Sequence, residues 1–288
     1  MDSCEMLDPE IHNDESNQIL HELITKFDLL NQQLVDDDQL AALINTWLEE
    51  NRFDATNIFK LVCSNIEKIR TPSLLGIFYS FGIGTPRNEI SALRWFDIAA
   101  KLHDPLSQCM IGQWFQDQHD FNRAFHWYKL SATQNHPHSQ FLLASLICVR
   151  CTDNIEHNQE KAFEWMLKAA SKNHLKAQYF LGNFYYHGTG IPSNYEKAFS
   201  WYKIAASRGH EKAINEVAEC YERGCGTVCN TRKAFYWYLK AASFNGFESC
   251  DSKLTVAEYY NNGFGTEKDI HQKLKWYRRA SRYKSISF

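Results

Sequence analysis

The chain has 288 residues, 31 Lys+Arg against 34 Asp+Glu, 44% hydrophobic residues and 14% aromatic residues. These apolar fractions exclude a disordered chain, and a net charge of -3 excludes a strongly basic nucleic-acid binder. Six Pro and 13 Gly exclude a collagen-like or linker-rich chain, and no apolar run reaches the ~20 residues of a membrane span.

Residues 1–16 carry six acidic residues and no Lys or Arg. They lack the basic and apolar regions of a secretory signal, and this polar tail is expected to be disordered. With nine cysteines, an odd number, and no signal, reduced thiols in a cytoplasmic or nuclear protein are expected. Residues 17–72 read as a helical segment. Ile19, Leu20, Leu23, Ile24, Phe27, Leu30 and Leu34 recur at helical spacing. Residues 36–38 read as a break and cap, and Leu40, Leu43, Ile44, Trp47 and Leu48 give a second helix. Asp54 can cap a third, carrying Ile58, Phe59, Val62 and Ile66, which Thr71-Pro72 would end.

Residues 73–288 are repetitive. Trp95, Trp127, Trp165, Trp201, Trp237 and Trp276 recur at intervals of 32, 38, 36, 36 and 39 residues. Each sits in a related phrase, such as KAFEWMLKAA, KAFSWYKIAA and KAFYWYLKAA. A second phrase, such as FLGNFYYHGTGI, precedes four of them. There Gly76, Gly182, Ala218 and Ala257 each stand 19 residues before the Trp. On a helical wheel, Ala198, Phe199, Trp201, Tyr202, Ala205 and Ala206 fit an arc of about 160°. The preceding phrase supplies a partner helix, and Gly188 and Gly190 end it. Neither helix can bury its apolar face alone, so stacked repeats are expected to share one core, with the Trp and Tyr stripe inside it.

The phrases LG-x-x-Y, G-x-G, K-A-F-x-W-Y and A-A, at a period near 36, resemble the Sel-one-like repeat family, a relative of tetratricopeptide repeats. The resemblance implies an all-α, right-handed superhelical solenoid of antiparallel helix pairs. It also implies a scaffold or adaptor that binds proteins. Residues 17–72 resemble the helical stretch between kinase-like domains and such repeats in many fungal proteins, so a regulatory subunit acting on a kinase is an alternative. Three repeats depart from the pattern. The second has 15 residues from Gly112 to Trp127, so residues 116–122 must close it without Gly-x-Gly. The third carries a polar insert at residues 151–159, and the sixth has Lys273 in place of Ala. The last repeat is expected to serve as a cap.

No catalytic motif is present: there is no P-loop, G-x-S-x-G, H-E-x-x-H, H-R-D or D-F-G, so no enzyme and no cofactor are expected. Cys148-x-x-Cys151 and Cys220, Cys225 and Cys229 suggest a metal-binding regulator as a second alternative. Neither cluster supplies four ligands, and apolar and turn positions are the simpler reading. His136, His174 and His210 recur at one turn position, too far apart for shared ligation. The basic end, with Lys273, Lys275, Arg278, Arg279, Arg282 and Lys284, reads as a solvated capping helix or a surface for an acidic partner.

In tetratricopeptide-like pairs the first helix lines the concave, partner-binding face. That resemblance carries over to Gln113, Gln116 and Asp117, then Asn183, Tyr186 and His187, then Glu219, Glu222 and Arg223, and finally Glu258, Asn261 and Asn262. Glu219 and Glu222 are expected to point away from the repeat core. A protein partner, no nucleic acid, no membrane and a monomeric state complete the expectation.

Overall fold

A computed structural model describes residues 9–32, 37–65, 72–150, 155–244 and 249–284. Fifteen α-helices and no strand occur among the described residues. Three helices come first: α1 (Pro9–Gln32), α2 (Asp37–Glu50) and α3 (Ala55–Ser64). Six two-helix repeats follow. They are α4 (Pro72–Phe81) and α5 (Glu89–Lys101), α6 (Pro105–Asp117) and α7 (Phe121–Thr133), and α8 (Pro137–Arg150) and α9 (Ile155–Ser171). Then come α10 (Leu175–His187) and α11 (Tyr195–Ser207), α12 (Glu211–Arg223) and α13 (Thr231–Ala242), and α14 (Cys250–Asn262) and α15 (Ile270–Lys284). The helices form two compact units, residues 1–146 and 147–288.

In the first unit, Leu20, Leu23 and Phe27 of α1 enter one core with Ile44, Val62, Leu74 and Phe78. α1 starts at Pro9, so the helix reaches into the expected disordered tail. Proline suits a first helical turn, because that position needs no amide proton. Asp54 caps α3 by accepting from the Asn57 amide at 2.9 Å. Pro72 opens α4 rather than ending the third helix, which stops at Ser64. Leu34, the break at residue 36 and Ile66 lie outside the described residues. In the second repeat, His119 adopts φ 59 in the short turn, doing without glycine.

Small residues set how the helices stack. A Cβ on Gly182 would strike the Tyr202 ring at 2.5 Å, and one on Gly112 the Tyr128 ring at 2.6 Å. Between consecutive repeats the second glycine of the turn is the device. Gly226 sits over the Tyr195 carbonyl and Gly265 over the Thr231 carbonyl, where a Cβ would come within 2.0 Å and 2.3 Å. Gly84 meets the Ala55 carbonyl of α3 in the same way. Phe59 of α3 also packs on Phe78 and Tyr79, as Phe235 of α13 packs on Tyr259 and Tyr260. α3 therefore holds the place of a second helix ahead of the first repeat, although its sequence lacks the tryptophan phrase.

In the first five repeats the core position is one residue beyond the tryptophan, whereas in the sixth Trp276 itself is buried and Tyr277 half-buried. Phe96, Tyr128, Met166, Tyr202 and Tyr238 are buried, whereas Trp95, Trp127, Trp165, Trp201 and Trp237 are half-buried. The wheel already holds the reason, since Trp201 lies at the edge of the apolar arc and Tyr202 near its centre. The half-buried indoles serve as platforms for cations: Lys168 lies 4.1 Å from the Trp165 ring centre and Lys240 5.0 Å from that of Trp237. Of the polar insert in the third repeat, residues 155–159 form the start of α9.

Candidate functional site on the first helices

Four of the first helices, α6, α8, α10 and α12, begin with a side-chain cap. Asp104 accepts from the Ser107 amide at 2.8 Å. His174 and His210 accept from the amides of Ala177 and Ala213 through Nδ1, at 3.1 and 3.2 Å. His136 Nδ1 lies 2.9 Å from the Ser139 hydroxyl. The recurrent histidines are thus N-caps in their neutral form. A second recurrent device escaped the sequence reading. Gln108, Gln140 and Gln178 each donate through Nε2 to the carbonyl of the alanine eight residues earlier, Ala100, Ala132 and Ala170. These bonds tie α6, α8 and α10 each to the second helix of the preceding repeat.

The carried-over positions divide into two groups. Four help hold the repeats. Gln116 accepts the Tyr128 hydroxyl at 3.0 Å, and Asn183 accepts that of Tyr202 at 2.7 Å. Glu222 accepts two phenols, from Tyr238 at 2.8 Å and Tyr259 at 2.6 Å, and Asn261 accepts from Lys273 at 2.9 Å. Glu222 thus does not point away from the core as expected, and it shares with Gln116 and Asn183 the work of accepting a buried tyrosine's hydroxyl, whereas Asn261 is exposed. The shielded Gln113 Oε1 accepts no hydrogen bond among the described residues.

The remaining positions are open. Asp117, His187, Arg223, Glu258 and Asn262 are exposed, and Tyr186 and Glu219 are half-buried. Arg223 reaches Glu219 at 3.4 Å, and that carboxylate raises the guanidinium pKa further. Tyr186 packs edge-on to Tyr195 at 5.2 Å, and burial raises its phenol pKa. The residue that sequence reasoning missed is Glu216. Burial, and then the charge of Glu219, push its carboxyl pKa up to about 7. No side chain among the described residues donates a hydrogen bond to it. Glu216 stands three positions before Glu219 on α12, hence on the same helix face. Extending the candidate positions by one turn would have found it. At the equivalent position of α10, Phe180 is exposed. α12 and α14 are joined on this side by the Ser252 hydroxyl donating to Asn215 at 2.9 Å.

Cys225 lies near enough to Cys220 to act on its thiol. Burial pushes the Cys220 thiol up to about 12, and Cys229 donates to the Glu222 carbonyl at 3.1 Å. Cys151 lies outside the described residues. No group of three His, Cys, Asp or Glu side chains suited to a metal ion occurs among the described residues. Nor is any helix there long and apolar enough to cross a membrane.

The profile of the Sel1 repeat family matches residues 73–104, 105–136, 137–174, 175–210, 211–243 and 256–282. A search of curated proteins returns no significant match. Among solved structures, a Sel1 repeat protein from Oxalobacter formigenes is 24% identical, with a TM-score of 0.66 over 83% of this chain and 96% of that one. The protective antigen c5321 of uropathogenic Escherichia coli, which displays an SLR fold, is 22% identical with a TM-score of 0.69. That match covers 85% of this chain, which spans 52% of the antigen's length. At these identities the likeness establishes the fold.

Proposed function

The chain belongs to the Sel1 repeat family, whose members are generally non-catalytic protein-interaction scaffolds, and we propose that it binds proteins through the first-helix face of residues 147–288. The ligand is an extended segment that presents Lys or Arg to Glu216 and Glu219. The observation that carries this reading is Glu216 itself. A carboxyl held half out of water beside a second carboxylate, with no hydrogen-bond donor among the described residues and its charge offset only in part by Arg223, is costly when ionised. An incoming cation removes that cost. Tyr186, His187 and the exposed Phe180 widen the surface on α10, and Glu258 and Asn262 continue it on α14. In residues 1–146, Asp117 is the corresponding open position.

Free thiols at Cys63, Cys220, Cys225, Cys229 and Cys250 fit work in a reducing compartment, the cytoplasm or nucleus. Panning random displayed peptides on the purified protein tests the proposal. Peptides enriched in Lys and Arg are expected, and Glu216→Gln with Glu219→Gln should abolish the enrichment. Enrichment of neutral or acidic peptides, or enrichment that survives both substitutions, would overturn it.

A further inference from the structure

Four first helices, α4, α10, α12 and α14, end in a glycine turn that folds the chain back on the helix. In each, an amide beyond the turn donates to a carbonyl of the last helical turn. Ile83 donates to Phe78 at 3.0 Å, Thr189 to Phe184 at 3.0 Å, Cys225 to Cys220 at 3.1 Å and Phe264 to Tyr259 at 3.1 Å. Such a turn brings the two side chains together, commonly as an apolar pair. Phe78 and Ile83 are both buried, and the Tyr259 and Phe264 rings lie 6.0 Å apart. On α12 the same two positions hold two cysteines.

With ordinary covalent dimensions, the 3.1 Å bond from Cys225 to Cys220 keeps their Cα atoms no more than about 7 Å apart. Disulfides span roughly 4.4–6.8 Å between Cα atoms, so the turn holds the pair at bridging distance. The thiols themselves are neighbours, since Cys225 raises the pKa of Cys220. They differ in access: Cys220 is 3% exposed, whereas Cys225 is half-buried in the turn. Cys229 is exposed, but its Sγ is tied to the Glu222 carbonyl at 3.1 Å.

We propose that Cys220 and Cys225 form an oxidative modification site, at which hydrogen peroxide closes a reversible intrachain disulfide. Peroxide meets Cys225 first, because that sulfur is the accessible one. The Cys225 thiolate attacks a peroxide oxygen. An S–O bond forms, the O–O bond breaks, and the departing hydroxide takes up the proton that the thiol released, leaving as water. The Cys220 sulfur then attacks the sulfenic sulfur of Cys225. The S–S bond forms, the S–O bond breaks, and hydroxide leaves with the Cys220 proton as a second water. Two thiols thus lose two electrons to one peroxide. Burial disfavours the Cys220 thiolate and slows this second step, and the fixed contact in the turn offsets that by making the attack intramolecular. In a reducing compartment the bond is transient, because a dithiol opens it by exchange. None of this chemistry depends on what binds the first-helix face.

The test exposes the reduced full chain to a few equivalents of hydrogen peroxide, alkylates the remaining thiols and locates bridges by mass spectrometry of tryptic peptides. Trypsin cuts after Arg223, so a bridge from Cys220 to Cys225 joins two peptides that dithiothreitol separates. The bridge should form in the unchanged chain and equally in Cys229→Ser, and fall at least tenfold in Cys225→Ser. In Cys220→Ser, Cys225 should stop at the sulfenic acid, which dimedone traps. Circular dichroism of each variant serves as the folding control. Failure of the unchanged, folded chain to form this bridge would overturn the proposal. So would a bridge to Cys229 in its place, or a linkage between two chains.

Discussion

Glu222 gathers the hydroxyls of Tyr238 and Tyr259, so it joins α12, α13 and α14. Glu222→Lys should lower stability by about 2 kcal/mol or more, because two partly buried phenols lose their acceptor. Glu258→Lys, on an exposed position of α14, should stay within about 0.5 kcal/mol. Denaturant midpoints would compare the two. The same measurement separates Tyr202 from its neighbour. Tyr202→Ala should cost about 3–5 kcal/mol, as for other fully buried large side chains, and Trp201→Ala distinctly less. Equal costs would mean that the indole, not the phenol ring, fills the core. Glu216 adds a pH dependence. Its folded pKa, about 7, lies above the ordinary carboxyl value of 4.5. Its contribution to stability is therefore fully present below the ordinary value and is lost as pH rises through about 7. Glu216→Gln should flatten the decline in stability between pH 5 and 8, and an unchanged decline would refute the burial of this carboxyl.

At the scale of helices, the glycine contacts make a sharper test than any propensity. Gly226 has φ +69 and meets the Tyr195 carbonyl, whereas Gly209 has φ +89 and open space where a Cβ would stand. Gly226→Ala should cost roughly 2 kcal/mol or more, combining strain with displacement of α11. Gly209→Ala should cost only about 1 kcal/mol from its left-handed backbone. The 19-residue spacing from Gly182 to Trp201 made the paired helices legible, because small residues and large rings must stay in register. α3 was legible as a helix but not as a junction. Its role rests on Phe59 and on backbone proximity at Gly84, neither of which requires the tryptophan phrase. The acceptors were hidden for a related reason. Gln116, Asn183 and Glu222 differ in type, so no repeated letter betrays their common work on tyrosine hydroxyls.

Across the whole chain, a net charge of -3 conceals an uneven distribution. α12 concentrates carboxylates on its first-helix face, and α15 concentrates Lys and Arg without an acidic residue. Family membership explains why such variation is tolerated, since stacking uses the small and aromatic positions and leaves the others free to vary. It also explains why the partner is not legible in the repeat phrases, which encode only the stacking. The most direct measurement is calorimetric titration of a selected Lys- or Arg-containing peptide against three forms of the protein: unchanged, Glu216→Gln with Glu219→Gln, and Lys203→Glu with Lys240→Glu. The predicted result is binding weakened at least tenfold by the α12 pair, about 1.4 kcal/mol or more, and unaltered by the second-helix pair. Loss of binding in the Lys203 and Lys240 variant, with the α12 variant unaffected, would contradict it and move the binding face to the second helices.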